Sequence, residues 1–216
     1  MTYLQFLVIF LISPLIGFFF TFAQVSLPYK KQFKWGIAAL VFLAVSYTTP
    51  WDNYLVANEV WSYGPDRVLG TIGYVPIEEY CFFVLQTIFT GLFCFFLQFK
   101  FKLTKKPSQA RGKNIVTVFY LLVFALGVYG LTVESMFYMG LILAWATPIL
   151  LVQWIVGGAH LMANAGIFII TFMIPSIYLW VADALAIHLQ IWDISKVYTV
   201  GIKFGPLPLE EALFFL

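Results

Sequence analysis

Ser135 to Ala182 reads SMFYMGLILAWATPILLVQWIVGGAHLMANAGIFIITFMIPSIYLWVA, with no Asp, Glu, Lys or Arg. As one α-helix this stretch would be about 72 Å long, more than twice the roughly 30 Å hydrocarbon layer of a bilayer. It must therefore fold back on itself as two membrane-spanning helices. The reversal is expected at Gly157-Gly158-Ala159-His160, where consecutive glycines weaken a helix. Outward from this stretch, other apolar runs are long enough to be spans. Tyr3 to Val25 is uncharged, lacks the basic start of a signal peptide and is long for one. Trp35 to Pro50 reads as a short second span, Tyr80 to Phe99 as a third and Ile115 to Val133 as a fourth. A seventh opens at Leu209, and a full crossing would need about a dozen residues beyond Leu216. The fold class this implies is all-α, a polytopic transmembrane helical bundle of about seven spans.

Composition agrees. Apolar residues make up 62% and charged residues 10% of the chain, against about 25% charged in a soluble domain. The lipid bilayer is thus the first partner. A net charge of +2 leaves no footprint for nucleic acid. Cys81 and Cys94 fall on one predicted helix about 20 Å apart, too far for a disulfide, and read as packing residues.

Charge placement suggests a topology. Lys30, Lys31 and Lys34 follow span one, and Lys100, Lys102, Lys105, Lys106, Arg111 and Lys113 follow span three. Seven spans put both clusters on one face, which the excess of basic residues assigns to the cytoplasm, with the N-terminus outside a cell membrane. Asp52, Glu59, Asp66, Glu78, Glu79, Glu134, Asp183, Asp193, Glu210 and Glu211 all fall on the opposite face.

The chain also repeats itself at an offset of about 131 to 134 positions. Ser13-Pro14-Leu15 recurs as Thr147-Pro148-Ile149, Trp61 as Trp192, and Trp51-Asp52 roughly as Trp180 and Asp183 beyond spans two and six. Gly73-Tyr74-Val75-Pro76-Ile77-Glu78-Glu79 recurs as Gly205-Pro206-Leu207-Pro208-Leu209-Glu210-Glu211. Residues 1–99 and 134–216 are therefore read as two three-helix repeats, joined by a basic loop and linker helix over 100–133. The extra span restores parity, so the repeats are parallel, with their axis along the membrane normal.

Each long outer loop ends in Pro-x-Glu-Glu. Proline and carboxylates suit a helix start for local reasons. Yet these pairs open apolar spans, and ionisable groups at membrane depth are candidates for function. Adjacent helical side chains diverge by about 100°, so the two members of a pair are expected to take different roles, one facing the bundle interior and one the interface. Aromatic residues form 20% of the chain. Most serve packing and interfacial anchoring, and those lining a cavity would stabilise a cation through their π faces.

With Pro76-Ile77-Glu78-Glu79 and Pro208-Leu209-Glu210-Glu211 in a duplicated small membrane protein, the chain resembles the membrane lycopene cyclases. These are heterodimeric in bacteria and occur fused in archaea and fungi, with a Pro-x-Glu-Glu/Asp motif in each three-helix half. The resemblance covers nearly the whole chain. It implies lycopene or a related acyclic carotenoid as substrate and a redox-neutral, proton-initiated ring closure. Glu78, Glu79, Glu210 and Glu211 would be the acid/base set, with Asp52, Asp183, Pro76 and Pro208 in supporting positions. No Gly-x-Gly-x-x-Gly stands in the sequence, so no flavin or other cofactor is expected, and no metal. A second copy of the chain, or other enzymes of carotenoid synthesis, remain open as partners. Arg67 is read as solvated rather than Glu-paired, and His160 and His188 as structural or surface residues. The competing functional readings are a non-catalytic carotenoid-binding or assembly protein and a small proton-coupled transporter. The transporter reading wants charges midway along spans.

Overall fold

The computed structural model describes residues 1–23, 30–101 and 113–216. Thr2 starts the first helix through a reciprocal cap: its hydroxyl accepts from Gln5 N–H, and the Gln5 side chain accepts from Thr2 N–H. Helix α1 (Tyr3–Leu7) runs through a π-helical segment, Val8–Ile12, into α2 (Ser13–Ala23). Pro14 has no N–H to offer the carbonyl four residues back, so the ladder widens ahead of it. The Ser13 hydroxyl caps the Val8 carbonyl at 2.8 Å.

Helix α3 (Lys30–Ala57) corrects the expected second span. It continues through Pro50 rather than ending there, and Asp52 lies within it instead of in the following loop. One proline removes one ladder bond, which the remaining turns of a long helix tolerate. The helix stops at Glu59, whose φ of 56° is left-handed. Val60 N–H then bonds Leu55 C=O and Glu59 N–H bonds Val56 C=O, a Schellman closure. Helix α7 (Ala165–His188) closes in the same way. There Gln190 has φ 54°, Ile191 N–H bonds Ala186 C=O and Gln190 N–H bonds Ile187 C=O. Asp183 is likewise inside its helix and not beyond it.

The loops after α3 and α7 carry short strands within a mostly helical chain. Strands β1 (Trp61–Tyr63), β2 (Thr71–Ile72) and β3 (Val75–Pro76) precede α4 (Ile77–Phe101). Beyond α7 come β4 (Trp192–Ile194), β5 (Lys203–Phe204), β6 (Leu207–Pro208) and α8 (Leu209–Phe214). β2 pairs antiparallel with β3, Thr71 opposite Pro76, and β5 with β6, Lys203 opposite Pro208. Gly73 (φ 67°) and Gly205 (φ 65°) turn these two hairpins in a conformation that disfavours any side chain. Two-residue strands are too short to show an alternating pattern, which is why periodicity missed them.

Helix α5 (Lys113–Gly130) packs on α6 (Phe137–Ala163) through glycines. A Cβ on Gly140 would fall 2.7 Å from the Gly130 carbonyl carbon and 2.7 Å from Leu131 N. Small residues let two helix backbones approach this closely in membranes. The reversal expected at Gly157–His160 lies instead at Asn164, between α6 and α7. Both glycines stay helical, and Trp154 packs against Gly158. Asn164 breaks the helix by leaving the α region (φ −123°, ψ 27°) while its side-chain amide caps the His160 carbonyl.

Among the described residues, four stretches are long and apolar enough to cross a membrane: Tyr3–Phe20, Ile77–Gln98, Glu134–Ala163 and Ala165–His188. Asn114–Gly130 is apolar but shorter. These helices expose Phe19, Ile115 and Val156, and α3 exposes Phe42, surfaces that water would penalise and lipid would not. Lys102, Lys105, Lys106 and Arg111 of the expected cytoplasmic loop lie outside the described residues. The chain divides into two compact units, Met1–Leu97 with Leu185–Asp193, and Gln98–Ala184 with Ile194–Leu216.

Candidate active site

In the first unit the hairpin ends on buried Pro76, and α4 begins with Ile77. Glu78 and Glu79 therefore occupy the second and third helical positions, where carboxylates complement the helix dipole. Both are buried, at 1% and 5% exposure. The expected split between interior and interface is thus corrected: both carboxylates are interior, and they differ in partner. Glu78 Oε1 accepts the backbone N–H of Leu69 at 2.8 Å. Its Oε2 is buried and has no hydrogen-bond partner among the described residues. Glu79 Oε2 accepts the hydroxyls of Tyr3 at 2.5 Å and Tyr63 at 3.3 Å.

Tyr3 is delivered by the chain's start. Its N–H donates to Arg67 C=O at 2.8 Å, which ties α1 to the long loop. The Arg67 guanidinium donates to the carbonyls of Met1 and Leu189 and so clamps that loop, contrary to the expectation of a solvated charge. The Tyr3 ring is surrounded by aromatic faces: Tyr63 stacks at 6.2 Å and Trp192 lies 4.9 Å away. Trp192 also meets Phe6 edge-on at 5.0 Å. Asp52 is fully buried within α3.

The second unit repeats these bonds. Pro208 is buried, and Glu210 and Glu211 take the second and third positions of α8 at 0% and 2% exposure. Glu210 Oε1 accepts Val200 N–H at 2.7 Å, and its Oε2 has no hydrogen-bond partner among the described residues. Glu211 accepts the Tyr138 hydroxyl at 2.5 Å, and Tyr138 N–H donates to Tyr198 C=O at 3.0 Å. Asp183 is also buried, at 2% exposure. Trp180 donates from its indole to Ala212 C=O at 2.9 Å, which fastens α8 to α7.

Each unit thus holds a carboxyl group with a buried oxygen that has no hydrogen-bond partner among the described residues, beside a second carboxyl group held by a tyrosine. Such a pair can give and take protons inside an apolar enclosure. His160 and His188 are exposed on α6 and α7 and join neither cluster. Cys81 and Cys94 are not joined in a disulfide. Sequence reasoning missed Tyr3, Tyr63 and Tyr138. The available signal was a Tyr near the start of the first helix in each repeat, one position outside the offset range that aligned the other motifs.

Comparison with known proteins adds the decisive observation. Over 180 residues the chain is 41% identical to a protein named lycopene beta-cyclase from Halobacterium salinarum, covering 83% of this chain and 76% of the relative. The chain belongs to the lycopene cyclase family. This cyclase-family chain is also 33% identical, over 94% of its length, to a bifunctional lycopene cyclase/phytoene synthase of Sporisorium reilianum. A protein of the same name from Aspergillus niger is 36% identical over 87% of the chain. The chain spans only 31% and 34% of those two fungal proteins. No family model and no solved structure matches it.

Proposed function

We propose that this membrane protein is a carotenoid cyclase that closes the acyclic end groups of lycopene or a related carotenoid. One observation carries the reading: buried carboxyl pairs at the heads of α4 and α8, in a chain 41% identical to a named lycopene beta-cyclase. In the reaction, a carboxyl group gives its proton to the terminal double bond, forming a C–H bond and a tertiary cation. The neighbouring double bond attacks that cation and closes a six-membered ring. A ring proton then leaves to a carboxylate, so the product is an isomer and no electron acceptor is consumed. Glu78, Glu79, Glu210 and Glu211 form the acid/base set, supported by Asp52 and Asp183 and by the two prolines that start the helices. The aromatic faces around Tyr3 favour a passing positive charge.

The full architecture belongs to this proposal: about seven spans, two repeats of like orientation and a linker helix, with the N-terminus outside the cell membrane. The recurrence of the same hairpin register, Schellman closures and carboxyl bonds in both halves supports it. Embedding also suits a substrate that dissolves in lipid and not in water. Expression in cells that accumulate lycopene, followed by pigment chromatography, tests the function. Cyclic carotenoid is expected. Unchanged lycopene, with the protein folded and in the membrane, would overturn the reading.

A further inference from the structure

The two carboxyl groups of each pair have chemically different partners. Glu78 and Glu210 each spend one oxygen on a backbone N–H, which can neither accept nor release a proton under ordinary conditions. The other oxygen is buried and unpartnered among the described residues. A proton on that oxygen meets no hydrogen-bond acceptor among the described residues. Glu79 and Glu211 differ, because a buried tyrosine hydroxyl already donates to each at 2.5 Å. Tyr3 and Tyr138 are 1% and 0% exposed, and each is set by its own N–H bonding a loop carbonyl. The arrangement is built twice, from segments far apart in sequence.

Resting on the cyclase reading, we propose that Tyr3 and Tyr138 are positioning residues that hold Glu79 and Glu211 as the fixed members of their pairs. Glu78 and Glu210 are then the members that hand a proton to the terminal double bond of the substrate. The proton lost from the closed ring returns to the pair, which ends the cycle with the protons it began with. A purely mechanical role for the tyrosines, stapling α1 to α4 and α6 to α8, predicts a loss of stability and nothing else.

The test is a double-mutant cycle in the membrane-reconstituted protein with lycopene as substrate. Tyr3→Phe keeps the ring and removes only the hydroxyl, and Tyr138→Phe does the same in the second unit. Each is expected to lower kcat about 10- to 100-fold with KM nearly unchanged, the effect of losing one hydrogen bond to an ionisable group. In the Glu79→Gln background, Tyr3→Phe should add little further loss, because it acts through Glu79. An infrared titration without substrate should show a carboxyl band that Glu79→Gln removes and Tyr3→Phe moves. Full additivity of the two changes in kcat, or an unmoved band, overturns the proposal while leaving the cyclase function intact. If the parent protein makes no cyclic pigment, the function fails instead, and the infrared titration alone decides whether Tyr3 sets Glu79.

Discussion

Leu69 and Glu78 are joined by a bond from the backbone N–H of Leu69 to one carboxyl oxygen of Glu78, at 2.8 Å. The other oxygen of Glu78 is buried without a hydrogen-bond partner among the described residues. One side chain therefore serves two ends: it fastens the loop ahead of α4 and presents a protonatable oxygen to the interior.

Substitution separates these two contributions. Glu78→Gln can still accept the Leu69 N–H through its amide oxygen but cannot deliver a proton. It is expected to fold like the parent and lose about 10²–10⁴-fold in turnover, the usual worth of a placed acid. Glu78→Ala should lose activity and some stability together, because the Leu69 N–H loses its carboxyl acceptor, a bond worth about 0.5–1.5 kcal/mol. The same contrast is expected for Glu210→Gln against Glu210→Ala. Pigment assays and thermal melts in detergent measure the two effects. Normal cyclisation by both Gln variants would reduce these glutamates to helix-start residues.

The hairpin glycines should respond unequally to alanine. Both have positive φ, so each substitution costs about 1 kcal/mol in backbone strain. A Cβ on Gly205 meets nothing within 4 Å among the described residues, whereas one on Gly73 runs into the Asn53 side chain. That side chain accepts Tyr74 N–H at 3.0 Å. Gly73→Ala is therefore expected to lower the melting temperature more than Gly205→Ala. Equal shifts would show that Asn53 moves aside freely.

Close packing of α5 on α6 gives a third expectation. A Cβ on Gly140 or Gly127 would press on backbone atoms that cannot rotate away, so Gly140→Ala or Gly127→Ala should destabilise by about 1–3 kcal/mol. A Cβ on Gly17 meets nothing within 4 Å among the described residues, and Gly17→Ala removes a flexible residue from a helix. It should be neutral or stabilising by up to about 1 kcal/mol. Denaturation of reconstituted protein ranks the three. A stable Gly140→Ala variant would mean the helices are not held this close.

Orientation in the membrane is open to a direct check. Nine of the twelve basic residues fall on the face assigned to the cytoplasm, so a reporter fused after Lys106 should be active inside the cell. A reporter active only outside would reverse the topology.

Apolar run length and charge scarcity were enough to mark a mostly helical chain with helices long and apolar enough to cross a membrane, because the bilayer imposes a length that composition either meets or does not. The doubled Pro-x-Glu-Glu was equally legible, since a helix start concentrates its chemistry in adjacent residues. Helix ends were not. Glu59 and Gln190 close their helices in a left-handed conformation more common for glycine, and Pro50 fails to end α3 because surrounding turns carry it. Gly157 and Gly158 stay helical while Asn164 makes the turn. What each carboxyl group touches was decided by tertiary structure alone. Tyr3 reaches Glu79 across 76 positions and Tyr138 reaches Glu211 across 73. Such a contact depends on where the chain returns in space, and residue type and spacing do not encode that separately for each pair.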